Sequence, residues 1–266
     1  MPFTPSHAIV ALPFVRTPLV PAAIAVGAMA PDLPLFVRFL PFSYQTTHTN
    51  VILTAFIALA LLALWYLMLR PAVRELSPRW LATRLPREWD LTGMDALRSV
   101  RPGSRHRVWR DRAVFVPLLV VAVCIGVLSH IAWDAFTHEG RWGTVLFPAL
   151  AQQWGPFAGY KWAQYGSSML GLAGIAVFFG VWVARRRPEA SLVRRLPNVI
   201  RWCWWMSLPA LLLGAWLIGM GAYGPFTADW TMQHLAYRVL PPACAVWGAL
   251  TLVLCVVVLV RRPRRR

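Results

Sequence analysis

The 266-residue sequence is short of charge: Asp, Glu, Lys and Arg together make up 14%, against 58% hydrophobic residues. A soluble domain of this length carries more charge and fewer uninterrupted apolar runs, so that class is excluded. Cysteine is scarce as well. Cys124, Cys203, Cys244 and Cys255 lie inside or at the edge of apolar runs and form no C-x-x-C pair. Neither a disulfide framework nor a thiolate zinc site is supported, and all four read as small apolar packing residues. The first fifteen residues lack a basic n-region, so no cleavable signal peptide is expected. Lysine is nearly absent, with Lys161 alone, a bias we ascribe to a GC-rich genome rather than to chemistry.

What is abundant is apolar sequence in long runs. Residues 51–69, 113–136, 165–184, 202–222 and 240–260 are each long enough, or nearly so, to cross a hydrocarbon core. A sixth apolar region, residues 8–30, is interrupted by Pro13, Arg16, Pro18 and Pro21. Thr4 before Pro5 and Thr17 before Pro18 both look like helix N-caps, which divides this region into two short helices. Each is about 15 to 20 Å long, too short to span alone. A re-entrant hairpin turning at Arg16 would return His7 and Asp32 to one side, whereas a single tilted span would separate them. The hairpin is the preferred reading. The expected fold is therefore an all-α, polytopic membrane helical bundle of five full transmembrane helices plus a broken N-terminal hairpin. It forms one integral membrane domain over residues 1–266, with residues 1–50 as hairpin and outer loop.

The formal net charge is +17, and its placement sets orientation. Residues 70–112 hold 11 arginines, residues 185–201 hold six and the tail 261–266 holds five, each segment adjoining an apolar run. Basic loops stay in the cytoplasm, so the 70–112 loop, the 185–201 loop and the C-terminal tail are placed there. This implies a multi-pass protein of the bacterial cytoplasmic (inner) membrane, with the lipid bilayer as its first partner. Nucleic acid is not expected, because the arginines do not interleave with aromatics on a folded domain. His106, inside the basic loop, reads as solvated.

Within this frame His130, Asp134 and His138 recur every four residues in LSHIAWDAFTHEG, on one helix face at the extracytoplasmic end of a span. An aspartate within a span costs roughly 2.5–3.5 kcal/mol on insertion scales and marks a functional site by default. His48, just before the first long span, reaches the same side by an independent route. With His7 and Asp32 these residues form a nitrogen and oxygen ligand set suited to Zn²⁺, with Mn²⁺, Fe²⁺ and Ni²⁺ also compatible. The bland alternative is an ion pair between Asp134 and a neighbouring histidine that holds helices together. Glu139 is a candidate general base by position, and Arg141 a candidate phosphate ligand on a side where basic residues are otherwise avoided. His234 and Asp229 read as loop residues. The inner halves of the long spans carry no acid or histidine, so the site reads as a one-sided pocket. That favours a metal-dependent hydrolase acting on a phosphoester or lipid-linked substrate over the alternative, a metal- or proton-binding transport protein.

SH near the start, PD after a short apolar segment, TH before a span and LSHIAWDAFTH within a later span occur together in this chain. The combination resembles the bacterial membrane-bound metal-dependent hydrolases of the YdjM-like group. It is most similar to a sister family of uncharacterised integral membrane proteins that open with FTPSH and carry an HxxWDxFTH segment. The resemblance covers residues 2–10, 27–34, 46–50 and 128–140, and implies that His7, Asp32, His48, His130 and Asp134 are metal ligands. The chain departs from the YdjM-like pattern at Leu33-Pro34-Leu35, where that pattern has a second acid and a histidine. It departs again at SYQT, where the pattern has HRG, and His138 is the candidate replacement ligand. The ligand spacing is more remotely similar to that of zinc-dependent phospholipases C.

The orientation is testable in intact cells. Single cysteines placed in residues 70–112, 185–201 or 261–266 of a cysteine-free background should resist a membrane-impermeant maleimide. Labelling of the 70–112 loop from outside inverts the assignment.

Overall fold

The computed structural model describes residues 3–100 and 108–261, with only the backbone of 108–112. His106, the adjoining part of the basic loop and the tail beyond Arg261 lie outside the described residues. Helices dominate, and the one strand pairing among the described residues is a two-residue ladder, Gln153–Trp154 against Phe157–Ala158. Among the described residues five helices are long and apolar enough to cross a membrane: Val51–Leu76, Ala113–Thr137, Gly159–Ala184, Asn198–Tyr223 and Met232–Val260. In hydrocarbon every backbone N–H and C=O must be satisfied within the segment, and the helix does this. The fold is an all-α polytopic bundle.

The first long helix runs further than its apolar stretch suggests. It passes through a π-helical turn at Trp65–Leu69 and continues over Arg70–Leu76. Arg70 and Arg74, expected in a solvated loop, are instead buried. The Arg70 guanidinium lies 4.5 Å over the Tyr66 ring and donates to the Glu88 carbonyl at 3.1 Å. An arginine that finds an aromatic face and a carbonyl can remain helical where an unpartnered one would end the helix.

The chain packs as two compact units. The first comprises Met1–Leu33, Phe42–Leu64 and Arg98–Arg186; the second Pro34–Pro41, Trp65–Leu97 and Arg187–Arg266. In the first unit the N-terminal apolar region folds as two short helices. Thr4–Phe14 is a 3₁₀ helix of 11 residues and Pro21–Met29 an α-helix of nine. At rises of about 2.0 and 1.5 Å per residue they reach about 22 and 14 Å, short of a 30 Å core. They pack on each other, and Thr4 Oγ1 donates to Asp32 Oδ2 at 2.6 Å. A continuous span over 8–30 would hold those residues about 35 Å or more apart, so the hairpin is the arrangement present.

Neither expected threonine cap forms. Thr4 places its hydroxyl on Asp32 instead of on the first helical turn. Thr17 closes the connecting turn, donating to the Phe14 carbonyl and accepting from Leu19 N–H, and the second helix starts later, at Pro21.

Pro21–Met29 crosses Val108–Thr137 at two glycines. A Cβ on Gly126 would lie 2.2 Å from the Ile24 carbonyl oxygen, and one on Gly27 would lie 2.7 Å from that of Val123. Bare backbone meets bare backbone, as small residues permit in membrane helices. Around the crossing Ala23, Ile24, Ala28, Ala122, Val123 and Val127 are fully buried.

The second unit is organised by acids that pair with its buried arginines. Glu75 accepts from Arg195 N–H, Leu196 N–H and Arg201 Nη1, at 2.9 to 3.2 Å. Arg74 pairs with both Asp90 and Glu189. Beside these pairs Ala72, Leu76, Leu196, Cys255 and Val258 form an apolar core.

The glycine crossing predicts a sharp contrast between two substitutions. Gly126→Ala should destabilise the protein by about 1–3 kcal/mol, because backbone on both sides must shift. Gly180→Ala, where an added Cβ meets nothing, should be neutral or gain about 0.4–1 kcal/mol. Thermal unfolding in detergent compares them; equal transitions would contradict the close crossing.

Candidate metal centre

Four segments of the first unit deliver polar side chains to one buried point. Helix Val108–Thr137 supplies His130 and Asp134, one turn apart on the same face. The short helix Tyr44–Thr49 supplies His48. Its N-terminus is capped by Ser43, whose hydroxyl accepts from Thr46 N–H. The turn Ala30–Asp32 supplies Asp32. Thr47 ties these last two together by donating to the Pro31 carbonyl at 2.7 Å. The N-terminal helix supplies His7 and is anchored by Phe3 N–H donating to Ser168 Oγ at 3.0 Å.

Asp32, His48, His130 and Asp134 are all buried, and one donor atom from each lies within 4.8 Å of the other three. His48 Nε2 and His130 Nε2 are 3.3 Å apart. Asp134 Oδ2 is 3.4 Å from the first and 3.5 Å from the second, and Asp32 Oδ1 is 3.6 Å from His130 Nε2. A tetrahedron with metal–ligand bonds of about 2.0–2.1 Å has edges of about 3.3–3.4 Å. These four separations lie close to such edges, so the group could hold a metal ion.

Hydrogen bonding fixes which nitrogen faces inward. His48 Nδ1 sits 2.8 Å from the Tyr44 carbonyl and His130 Nδ1 2.7 Å from the Ala28 carbonyl. A carbonyl only accepts, so each Nδ1 carries a proton, and in the neutral ring each Nε2 presents a lone pair. Two lone pairs at 3.3 Å flanked by two carboxylates repel unless a positive charge lies among them. An imidazole whose far nitrogen donates to a backbone carbonyl is the usual arrangement of a metal-bound histidine. The Ala28 carbonyl comes within reach because of the Gly27–Gly126 contact one residue away.

The remaining expected residues take distinct positions. The His7 ring lies over that of His130, with centroids 4.1 Å apart, and its Nε2 is 3.8 Å from Asp134 Oδ1. Both of those atoms are buried without a hydrogen-bond partner among the described residues, which marks a second open edge of the same centre. His138 also approaches, its Nδ1 3.6 Å from Asp134 Oδ2, but both its nitrogens are engaged. Nδ1 donates to the Asp134 carbonyl at 3.1 Å and Nε2 meets the Gln164 side-chain amide at 3.3 Å. Burial pushes the His138 imidazole below its usual range, which keeps it neutral and able to accept from Gln164. It buttresses Asp134 and has no lone pair left for the centre.

Glu139 and Arg141 lie outside the cluster. Glu139 is exposed in the turn that follows the helix end at Thr137 and accepts from Tyr160 OH at 3.0 Å. The Arg141 guanidinium stands 5.9 Å from the Tyr44 ring centroid. Tyr44 donates to Asp134 Oδ2 at 3.0 Å; burial, then the carboxylates, raise its phenol, so the proton stays on it. Tyr44, Thr47 and Gln164 escaped the sequence reading, although Tyr44 precedes His48 by the four residues that place both on one helix face. His234 caps its own helix, its Nδ1 accepting from Thr231 N–H at 3.1 Å.

Comparison with known proteins gives the family and no function. No curated protein and no solved structure matches the chain. Residues 1–260 match the model of a family described as a domain of unknown function, DUF4184. With that match covering nearly its whole length, the chain belongs to the DUF4184 family.

Proposed function

We propose that the chain is a membrane-embedded, metal-dependent hydrolase acting on a phosphoester or lipid-linked substrate. In this reading Asp32, His48, His130 and Asp134 hold a divalent cation, zinc being the best match to a nitrogen and oxygen set with tetrahedral edges. One observation carries it: two carbonyl-anchored histidines aim their Nε2 lone pairs at each other, 3.3 Å apart, beside two buried carboxylates. The charge asymmetry of the loops supports an extracytoplasmic site in a bacterial inner-membrane protein with a cytoplasmic C-terminus.

A divalent cation supplies Lewis acidity and lowers the pKa of water. The chain's own groups do the rest. Asp134 presents Oδ2 to the centre, held by Tyr44 OH, and turns Oδ1 toward His7. Those two facing atoms, His7 Nε2 and Asp134 Oδ1, are placed to orient a water and take up its proton at Nε2. His7 thereby takes the base role that position alone suggested for Glu139. Arg141, above Tyr44, meets the anionic group of the substrate in bidentate fashion. His138 and Gln164 hold Asp134 in register.

Elemental analysis of purified protein tests the metal. The wild type should carry a divalent transition metal, His48→Ala and Asp134→Ala should lose it, and His138→Gln should retain it. Metal-free wild type sinks the reading. Metal accumulation inside proteoliposomes would support transport in its place.

Arg141→Ala separates catalysis from metal retention. Turnover of a phosphoester substrate should fall by about 10²-fold with bound metal unchanged. Full activity in that variant would remove the phosphate assignment and leave the metal centre standing.

A further inference from the structure

The second unit contains a cavity of about 470 Å³ that the hydrolase reading does not use. Its lining includes Arg79, Arg194 and Arg201 together with Trp202, Trp205 and Met206. Among the described residues the lining contains no carboxylate. Glu75 touches Arg201, but that carboxylate already accepts from Arg201 and from two backbone N–H groups. Arg194 donates through Nη2 to the Ser77 carbonyl at 2.6 Å, while its Nε is buried without a partner among the described residues. Arg79 is exposed. The cavity therefore holds an excess of positive charge and at least one donor still to be satisfied.

Its apolar side has the character of a membrane interface. Trp202 and Trp205 lie in the first two turns of the spanning helix Asn198–Tyr223, 69% and 45% exposed. Trp205 is fixed by donating its indole N–H to the Leu76 carbonyl at 3.0 Å. Tryptophans at the end of a span sit at headgroup depth, and basic groups there attract anionic lipid. Guanidinium groups recognise phosphate oxygens, and a cavity of this size is in the range that holds a small ligand.

We propose that this cavity binds the phosphate headgroup of an anionic phospholipid. Arg79 and Arg194 contact the phosphate, Arg201 is held in place by Glu75, and Trp202 and Met206 flank the start of the acyl chains. The site is independent of the metal centre.

Native mass spectrometry of the full chain, titrated with phosphatidylglycerol or phosphatidylcholine, provides the test. The wild type should retain phosphatidylglycerol preferentially. Arg79→Gln/Arg194→Gln should weaken that binding about 10- to 30-fold, from roughly 1 kcal/mol per basic residue near a membrane surface. The charge-matched pair Arg185→Gln/Arg187→Gln, outside the lining, should leave it unchanged. Arg79→Gln alone disturbs no bond described above and gives the same direction of change if the double variant fails to fold. Inorganic phosphate at millimolar concentration should not displace the lipid. Equal losses in the two arginine pairs, equal affinity for phosphatidylcholine, or full displacement by inorganic phosphate would each overturn the proposal.

Discussion

Two carboxylates cannot remain ionised inside an apolar bundle without positive charge beside them. Asp32 and Asp134 are both 2% exposed, and removing such groups from water costs several kcal/mol each before any partner is counted. The surrounding histidines do not supply that charge while neutral, because two of them have their Nδ1 protons committed to backbone carbonyls. What they supply is lone pairs. The local structure brings these nitrogens and the two carboxylates within 4.8 Å of one another.

The backbone makes this arrangement possible. A histidine can point its Nε2 inward only if something accepts from Nδ1, and in each case the acceptor is a main-chain carbonyl near a helix end. Tyr44 provides one from the first turn of a six-residue helix; Ala28 provides the other from the last turn of a nine-residue helix. In each case a short helix brings the carbonyl up to the histidine. Short, broken helices are thus part of the site chemistry, and they are tolerated at membrane depth because protein surrounds them. The Gly27–Gly126 crossing connects the two levels: removing two side chains lets the backbones touch, and the touch sets the distance from Ala28 to His130.

The sequence exposed the site far more clearly than its supports. His130 and Asp134 stand out because polar residues in an apolar run are costly, and His7, Asp32 and His48 because prolines and span edges isolate them. Thr4 misled for a physical reason. Its pattern satisfies a local cap rule, yet an aspartate 28 residues away is the stronger acceptor, and tertiary contact overrode the local preference. The arginines of residues 70–74 were similarly opaque. A basic run next to a span looks solvated, and nothing in its spacing signals the carboxylates of Asp90 and Glu189 that bury Arg74. Spans, orientation and ligand candidates can be read from one segment at a time; partners that make a charge buriable cannot.

The two units also treat buried charge in opposite ways, and the contrast separates structural charge from functional charge. In the second, Glu75 accepts from three groups and Arg74 meets two carboxylates, so the charges are closed by their own neighbours. Around Glu75 and Arg74 such a network holds the fold. In the first unit, His7 Nε2 and Asp134 Oδ1 face each other unpartnered, and the Nε2 pair of His48 and His130 repels. A protein that can satisfy one set of buried charges internally is not forced to leave the other unsatisfied. Incomplete pairing at so dry a position sets this cluster apart, and its imidazole nitrogens and carboxylate oxygens are donors that could hold a metal ion.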